Sequence, residues 1–186
     1  RWEFNLQKVI FVPAGRPPHK KDYAVSGLEE RYRMTVLATA SNPYFDVSRI
    51  EIDRCGYSYT VDTIKAFRRH YGTETCLYFI TGADAILEIL TWKDVDQLLQ
   101  ECIFIAATRP GFQLQRLEET KPLLPVESRH RIHLIEVPAL AISSTDIRWR
   151  VQNKKPIKYL LPEPVEEYIR TQGLYEHLGS GVYEKG

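Results

Sequence analysis

The sequence predicts an α/β fold, a mostly parallel sheet covered by helices on both faces. Three observations carry this reading. Five short apolar runs, rich in β-branched and aromatic residues, recur at residues 8–12 (KVIFV), 45–52 (FDVSRIEI), 76–80 (CLYFI), 102–107 (CIFIAA) and 132–137 (IHLIEV). They are too short for buried helices and read as strands. Helical patterns separate them at intervals of about 25–40 residues, the spacing of βα units. Glycines, hydroxyls and cations then gather just beyond the runs, on the rim where parallel α/β sheets bind ligands.

The elements follow in order. Residues 1–6 (RWEFNL) read as the end of a helix, with Trp2 and Leu6 four apart and no capping residue ahead. Arg1 stands first and Met34 is the only methionine, so upstream sequence, including a first strand, is expected to be missing. Ser26-Gly-Leu-Glu29 has the form of a capping box, opening a helix that runs to about Ala40 and stops before Asn42-Pro43. The run at 45–52 alternates imperfectly and suits an edge strand. Thr60 or a neighbour caps a helix over 61–71, with Ile64, Phe67 and Tyr71 on one face. Residues 84–90 and 94–101 form shorter helical candidates, and 144–153 and 164–171 close the series. No repeat, linker or low-complexity segment interrupts the chain, so 1–186 reads as a single domain with a flexible tail at 176–186.

Composition narrows the partners. The 186 residues are 44% hydrophobic and 26% charged, an ordinary globular balance. Lys+Arg 25 against Asp+Glu 24 leaves a net charge of +1, so there is no global basic field for nucleic acid or an anionic membrane. No apolar stretch approaches the roughly 20 residues of a membrane span, and no signal-peptide pattern opens the chain. Cys55, Cys76 and Cys102 lie far apart with no Cys-x-x-Cys pair, which speaks against a disulfide framework or structural zinc and for a reducing cytoplasm.

Several constellations could carry chemistry. Ser143-Ser144-Thr145 precedes a helical pattern, and such hydroxyls cap helices without any ligand. The same place offers backbone N–H groups and a positive dipole end to a phosphate, and Arg148, one turn inside, could fold back onto that anion. Three hydroxyls in a row plus an arginine in register favour phosphate. Gly82-Ala83-Asp84 follows an apolar run. Glycine permits close approach of a ligand, and a carboxylate just beyond a strand suits ribose hydroxyls, although an N-cap aspartate is the plainer use. Trp92, between two short helices, is balanced between core and ring stacking. Arg16, His19, Lys20 and Lys21 form the densest cation cluster; such a charge run is ordinarily a solvated face, but Gly15, Pro17 and Pro18 in the same loop suit it to a preorganised grip on phosphate or carboxylate. Arg109 is a similar single candidate. His130 and His133 lack a nearby third ligand, so no metal cage is expected. No Walker A or Gly-x-Gly-x-x-Gly pattern is present.

Together these segments resemble the bacterial nicotinate mononucleotide adenylyltransferases of the nucleotidyltransferase superfamily. The matching segments are VIFVPAGRPPHK (9–20), EIDRCGYSYTVDT (51–63), YFITGADA (78–85), LTW (90–92), RPG (109–111), ISSTDIR (142–148), YLLPEPVEEYI (159–169) and GLY (173–175). The ISSTxxR pattern is shared across the superfamily, including pantetheine-phosphate adenylyltransferases. The SYTVDT segment with the tryptophan after GADA is more specific to the nicotinate enzymes.

The resemblance implies a Rossmann-like fold and adenylyl transfer from ATP to nicotinate mononucleotide, with Mg²⁺ on the phosphates and no covalent enzyme intermediate. It implies ATP-phosphate contacts at Ser143, Ser144, Thr145 and Arg148, and nucleotide contacts at Gly82 and Asp84. Tyr59, Thr60 and Trp92 would form the nicotinate pocket, with Lys20 and Arg109 as cationic substrate contacts. A homo-oligomer is compatible with it. One departure stands out: the family's G-x-F-D-P-x-H-x-G-H segment, whose two histidines stabilise the transferring phosphate, does not occur in residues 1–186. No catalytic residue is therefore assigned, and residues 1–186 alone are expected not to turn over. A pantetheine-phosphate enzyme and a non-catalytic nucleotide-binding relic are the alternatives.

Overall fold

The computed structural model describes residues 1–18, 26–108, 122, 124, 126–138 and 140–176. These fall into two compact units, Arg1–Ser58 with Ala141–Gly186, and Tyr59–Leu140. The tail at 177–186 lies outside the described residues.

In the first unit, β1 (Val9–Phe11) runs parallel to β2 (Phe45–Val47), with Val9 opposite Phe45 and Phe11 opposite Val47. The helix α1 (Leu28–Thr39) connects them. Parallel strands cannot be joined by a tight turn, so a crossover of this length is required. Of the run at 45–52 only residues 45–47 are strand and 50–52 are turn, and among the described residues β2 pairs with β1 alone, as an edge strand does. Residues 1–6 close as the end of a helix does: Leu6 N–H donates to Arg1 O at 2.9 Å and Asn5 N–H to Trp2 O at 3.2 Å, with Asn5 left-handed at φ 46°. Trp2 is 90% exposed there.

Two further helices, α5 (Ser144–Gln152) and α6 (Glu163–Thr171), complete this unit. Val165 and Ile169, four apart on α6, are buried with Ile157 against Met34, Leu37, Ile147 and Val151. Gly173 takes φ 59° just past α6, and Leu174 N–H donates to Ile169 O at 3.0 Å. That left-handed closure is the reason a glycine follows this helix.

The expected capping box at Ser26–Glu29 does not form. The helix α1 begins one residue later, behind Gly27, without a side-chain cap. Ser26 Oγ instead accepts from the Tyr175 hydroxyl at 3.1 Å, and Glu29 pairs with Arg49 at 2.6 Å. Both partners are distant in sequence, so tertiary contacts have taken the groups that a local motif would use.

The second unit holds three parallel strands in the order β3–β4–β5: β3 (Tyr78–Gly82), β4 (Ile103–Thr108) and β5 (Ile132–Glu136). The middle strand β4 buries Phe104, Ile105 and Ala106 in succession, as a strand covered on both faces must. Around it lie α2 (Thr60–Tyr71), α3 (Ala83–Leu87), a 3₁₀ turn at Ile89–Thr91 and α4 (Val95–Glu101). Their buried side chains Val61, Ile64, Ile86, Ile89, Leu98 and Leu99 close one core with Phe104 and Ile132. On α2 the buried stripe is Val61 and Ile64, while Phe67 and Tyr71 stack at 6.1 Å toward the less buried end. The outer strand β3 leaves Ile80 46% exposed, despite its apolar sequence.

Candidate active site

Each group of expected residues is positioned by its own element. In the first unit, Ser143 is the N-cap of α5, and its hydroxyl accepts the Asp146 N–H at 3.1 Å. The plain capping use is thus realised at Ser143. Ser144 and Thr145 open the helix and are exposed. Arg148 folds back one turn and donates to Thr145 Oγ1 at 3.3 Å, so cation and hydroxyl converge over the first turn of α5. Arg150 on the same helix is tied to Asp146 at 2.7 Å.

In the second unit, Gly82 ends β3 and caps α3. A Cβ built on Gly82 would meet nothing within 4 Å, so the protein's own packing does not demand glycine there. Asp84 is exposed in the first turn of α3 and makes no capping bond; Gly82 holds the cap position instead. The N-cap use considered for Asp84 is therefore not realised, which leaves its carboxylate facing solvent.

Tyr59 caps α2 by backbone: its carbonyl accepts from Asp62 N–H at 3.1 Å and Thr63 N–H at 3.2 Å. Thr60 is the first residue of α2 and half-buried. Trp92 ends the 3₁₀ turn, with its N–H donating to Ile89 O at 3.0 Å. Its ring meets Phe79 edge-on at 5.8 Å and Phe104 at 6.3 Å, so one side of the indole belongs to the core. Trp92 remains half-buried, not fully enclosed.

Lys93 was not among the residues expected from the sequence. Its ammonium lies 4.5 Å from the centre of the Tyr59 ring and 3.5 Å from Asp62. Adjacency to Trp92 was the only sequence signal for it. Lys20 and Arg109, with His19 and Lys21, lie outside the described residues. Among the described residues no group of three His, Cys, Asp or Glu side chains could hold a metal ion.

A family model described as Cytidylyltransferase-like matches residues 1–150, which include the whole first turn of α5. The "Probable nicotinate-nucleotide adenylyltransferase" of Moorella thermoacetica is 80% identical over 186 residues, covering all of this chain and 86% of that protein. The chain belongs to the nicotinate-nucleotide adenylyltransferase family. A Thermoanaerobacter protein with the same description is 58% identical over 176 residues, 95% of this chain and 83% of its own. Among solved structures, Plasmodium falciparum nicotinic acid mononucleotide adenylyltransferase complexed with NaAD superposes with a TM-score of 0.66. It covers 92% of this chain and 83% of that one at 18% identity, which establishes the Rossmann-like nucleotidyltransferase fold. The family resemblance carried by SYTVDT and ISSTDIR is thereby borne out.

Proposed function

We propose that the residues above serve adenylyl transfer from ATP to nicotinate mononucleotide, giving nicotinate adenine dinucleotide and pyrophosphate in NAD biosynthesis. A phosphate oxygen of the mononucleotide attacks the α-phosphorus of ATP. The new P–O bond forms as the bond from that phosphorus to the β-phosphate bridge breaks, and pyrophosphate leaves. Such a reaction asks the protein for positioning and charge stabilisation, not for a covalent nucleophile. Mg²⁺ enters with ATP as part of the substrate.

In this reading Ser143, Ser144, Thr145 and Arg148 hold ATP phosphates. Gly82 admits the nucleotide close to the backbone, and Asp84 accepts from ribose hydroxyls. Tyr59, Thr60 and Trp92 receive the nicotinate ring, with Lys20 and Arg109 as cationic contacts. The observation that carries the phosphate assignment is Arg148 folded back onto Thr145 above the exposed N-terminal turn of α5. A guanidinium there adds charge-assisted donors to those of the helix end. Support for Asp84 comes from its exposure and its freedom from capping. No helix among the described residues is long and apolar enough to cross a membrane, and the reaction suits the cytoplasm.

The test is acceptor choice. A protein bearing the two-histidine segment ahead of residue 1 is given ATP, Mg²⁺ and either nicotinate mononucleotide or phosphopantetheine. Dinucleotide and pyrophosphate should appear in equal amounts with the first acceptor. Turnover only with the second would overturn the proposal.

A further inference from the structure

The loop after β1 is fixed far more tightly than its exposure requires. Five consecutive backbone groups, from the carbonyl of Ala14 to that of Arg16, are paired with groups remote in sequence. Arg31, on α1, donates Nη1 to Ala14 O and Nη2 to Gly15 O at 3.2 Å, while its Nε donates to Ser26 O at 3.3 Å. Gly15 N–H donates to Glu51 Oε2 at 3.3 Å. Ser58 closes the set from both sides: its Oγ accepts Arg16 N–H at 3.1 Å, and its own N–H donates to Arg16 O at 2.9 Å.

Gly15 is buried between these partners. A Cβ there would run into the Glu51 carbonyl and stand 2.6 Å from Ser58 Oγ, so the close approach admits only glycine. Pro13, Pro17 and Pro18 flank the loop and narrow its backbone freedom further. What this clamp leaves outward is the side chain of Arg16, exposed, with its guanidinium 5.0 Å from the centre of the Tyr57 ring.

We infer that Arg31, Glu51 and Ser58 are positioning residues that fix the 13–18 loop so that Arg16 presents its guanidinium to a substrate phosphate. Arginine suits both ends of this device. The planar fork of Arg31 reaches three carbonyls at once, which a lysine ammonium on a flexible stem would not reproduce. Arg16, carried on a backbone already ordered before the ligand arrives, loses less freedom on binding. The inference rests on the adenylyl-transfer reading, and both substrates carry a phosphate that could be the target.

A double-mutant cycle separates positioning from mere stability. Dissociation constants for ATP and for nicotinate mononucleotide are measured by calorimetry, each ligand alone, on wild type, Arg16→Ala, Ser58→Ala and the double variant. Arg16→Ala should weaken one ligand by about tenfold or more, as loss of a charged hydrogen bond does. The ligand that weakens identifies which phosphate Arg16 meets. Ser58→Ala should weaken the same ligand severalfold in the wild-type background and have little effect once Arg16 is gone. Arg31→Lys should behave as Ser58→Ala does. If Ser58→Ala costs the same factor in both backgrounds, or Arg16→Ala leaves both affinities unchanged, the inference is wrong. Failure of the wild type to bind either nucleotide would instead count against the functional reading beneath it.

Discussion

Arg148 is where helix geometry and charge meet most simply. Its link to Thr145 is exposed and long at 3.3 Å, so it contributes little to folding. Replacing Arg148 with alanine removes the guanidinium from the first turn of α5. It should weaken ATP binding by about 1.5–3 kcal/mol, the loss expected for a hydrogen bond to a charged group. Calorimetric titration checks this, and an unchanged affinity would leave α5 with a cap and no phosphate role. Trp92 makes the opposite kind of prediction, because its ring is already engaged with Phe79 and Phe104. Trp92→Ala should cost stability, by about 3 kcal/mol, and should also weaken nicotinate mononucleotide far more than ATP. Trp92→Phe should recover most of both. Equal losses for the two ligands would make Trp92 core alone. The Ser143–Asp146 and Thr145–Arg148 contacts could be read from the sequence because each spans one helical turn. The Lys93–Tyr59 contact could not, since it joins residues on different elements, and neither could the pairing of Ser58 with the backbone of Arg16.

Elements hold together in ways that local patterns announce only in part. Arg68, near the end of α2, donates to the carbonyls of Gly72, Thr73 and Thr75 and, across to the end of α4, to the carbonyl and carboxylate of Glu101. It supplies donors to carbonyls that a helix end leaves unpaired. Arg68→Ala should lower unfolding stability by roughly 2–3 kcal/mol, read from urea denaturation. A loss below about 0.5 kcal/mol, the range of ordinary surface changes, would contradict this. Cys102 lies at the junction of α4 and β4, and burial pushes its thiol up from about 9 to about 12. The folded chain thus keeps a proton that the unfolded chain releases. This contribution to stability is intact below about pH 9 and fades as pH rises toward 12. Alanine at 102 should flatten that alkaline decline, and a thiol reagent on the native protein should label Cys55 and Cys76 while sparing Cys102. Rapid labelling of Cys102 would show that the site is open. Burial on both faces forces the unbroken apolar run that made β4 legible, whereas β3 and β5 were legible from their β-branched and aromatic residues although Ile80 and Leu134 are exposed. The capping box at Ser26 misled because Tyr175 and Arg49, both remote in sequence, took its polar groups.

At the scale of the molecule, parallel pairing was foreseeable from the alternation of strands and helical stretches, and every strand pair among the described residues is parallel. The partition into a two-strand and a three-strand sheet was not, because periodicity says which segments are strands but not which of them share hydrogen bonds. Family membership then fixes the class of chemistry and the solved neighbour shows the fold, while the roles of single side chains rest on local geometry. The most direct measurement of the central claim is a competition between acceptors. A protein bearing the two-histidine segment ahead of residue 1 is supplied with ATP, Mg²⁺ and equal concentrations of nicotinate mononucleotide and phosphopantetheine, and both adenylylated products are quantified by chromatography. Nicotinate adenine dinucleotide should account for essentially all product, matched mole for mole by pyrophosphate, and Arg148→Ala should lower its yield at limiting ATP. Formation of the pantetheine product in its place would contradict the account.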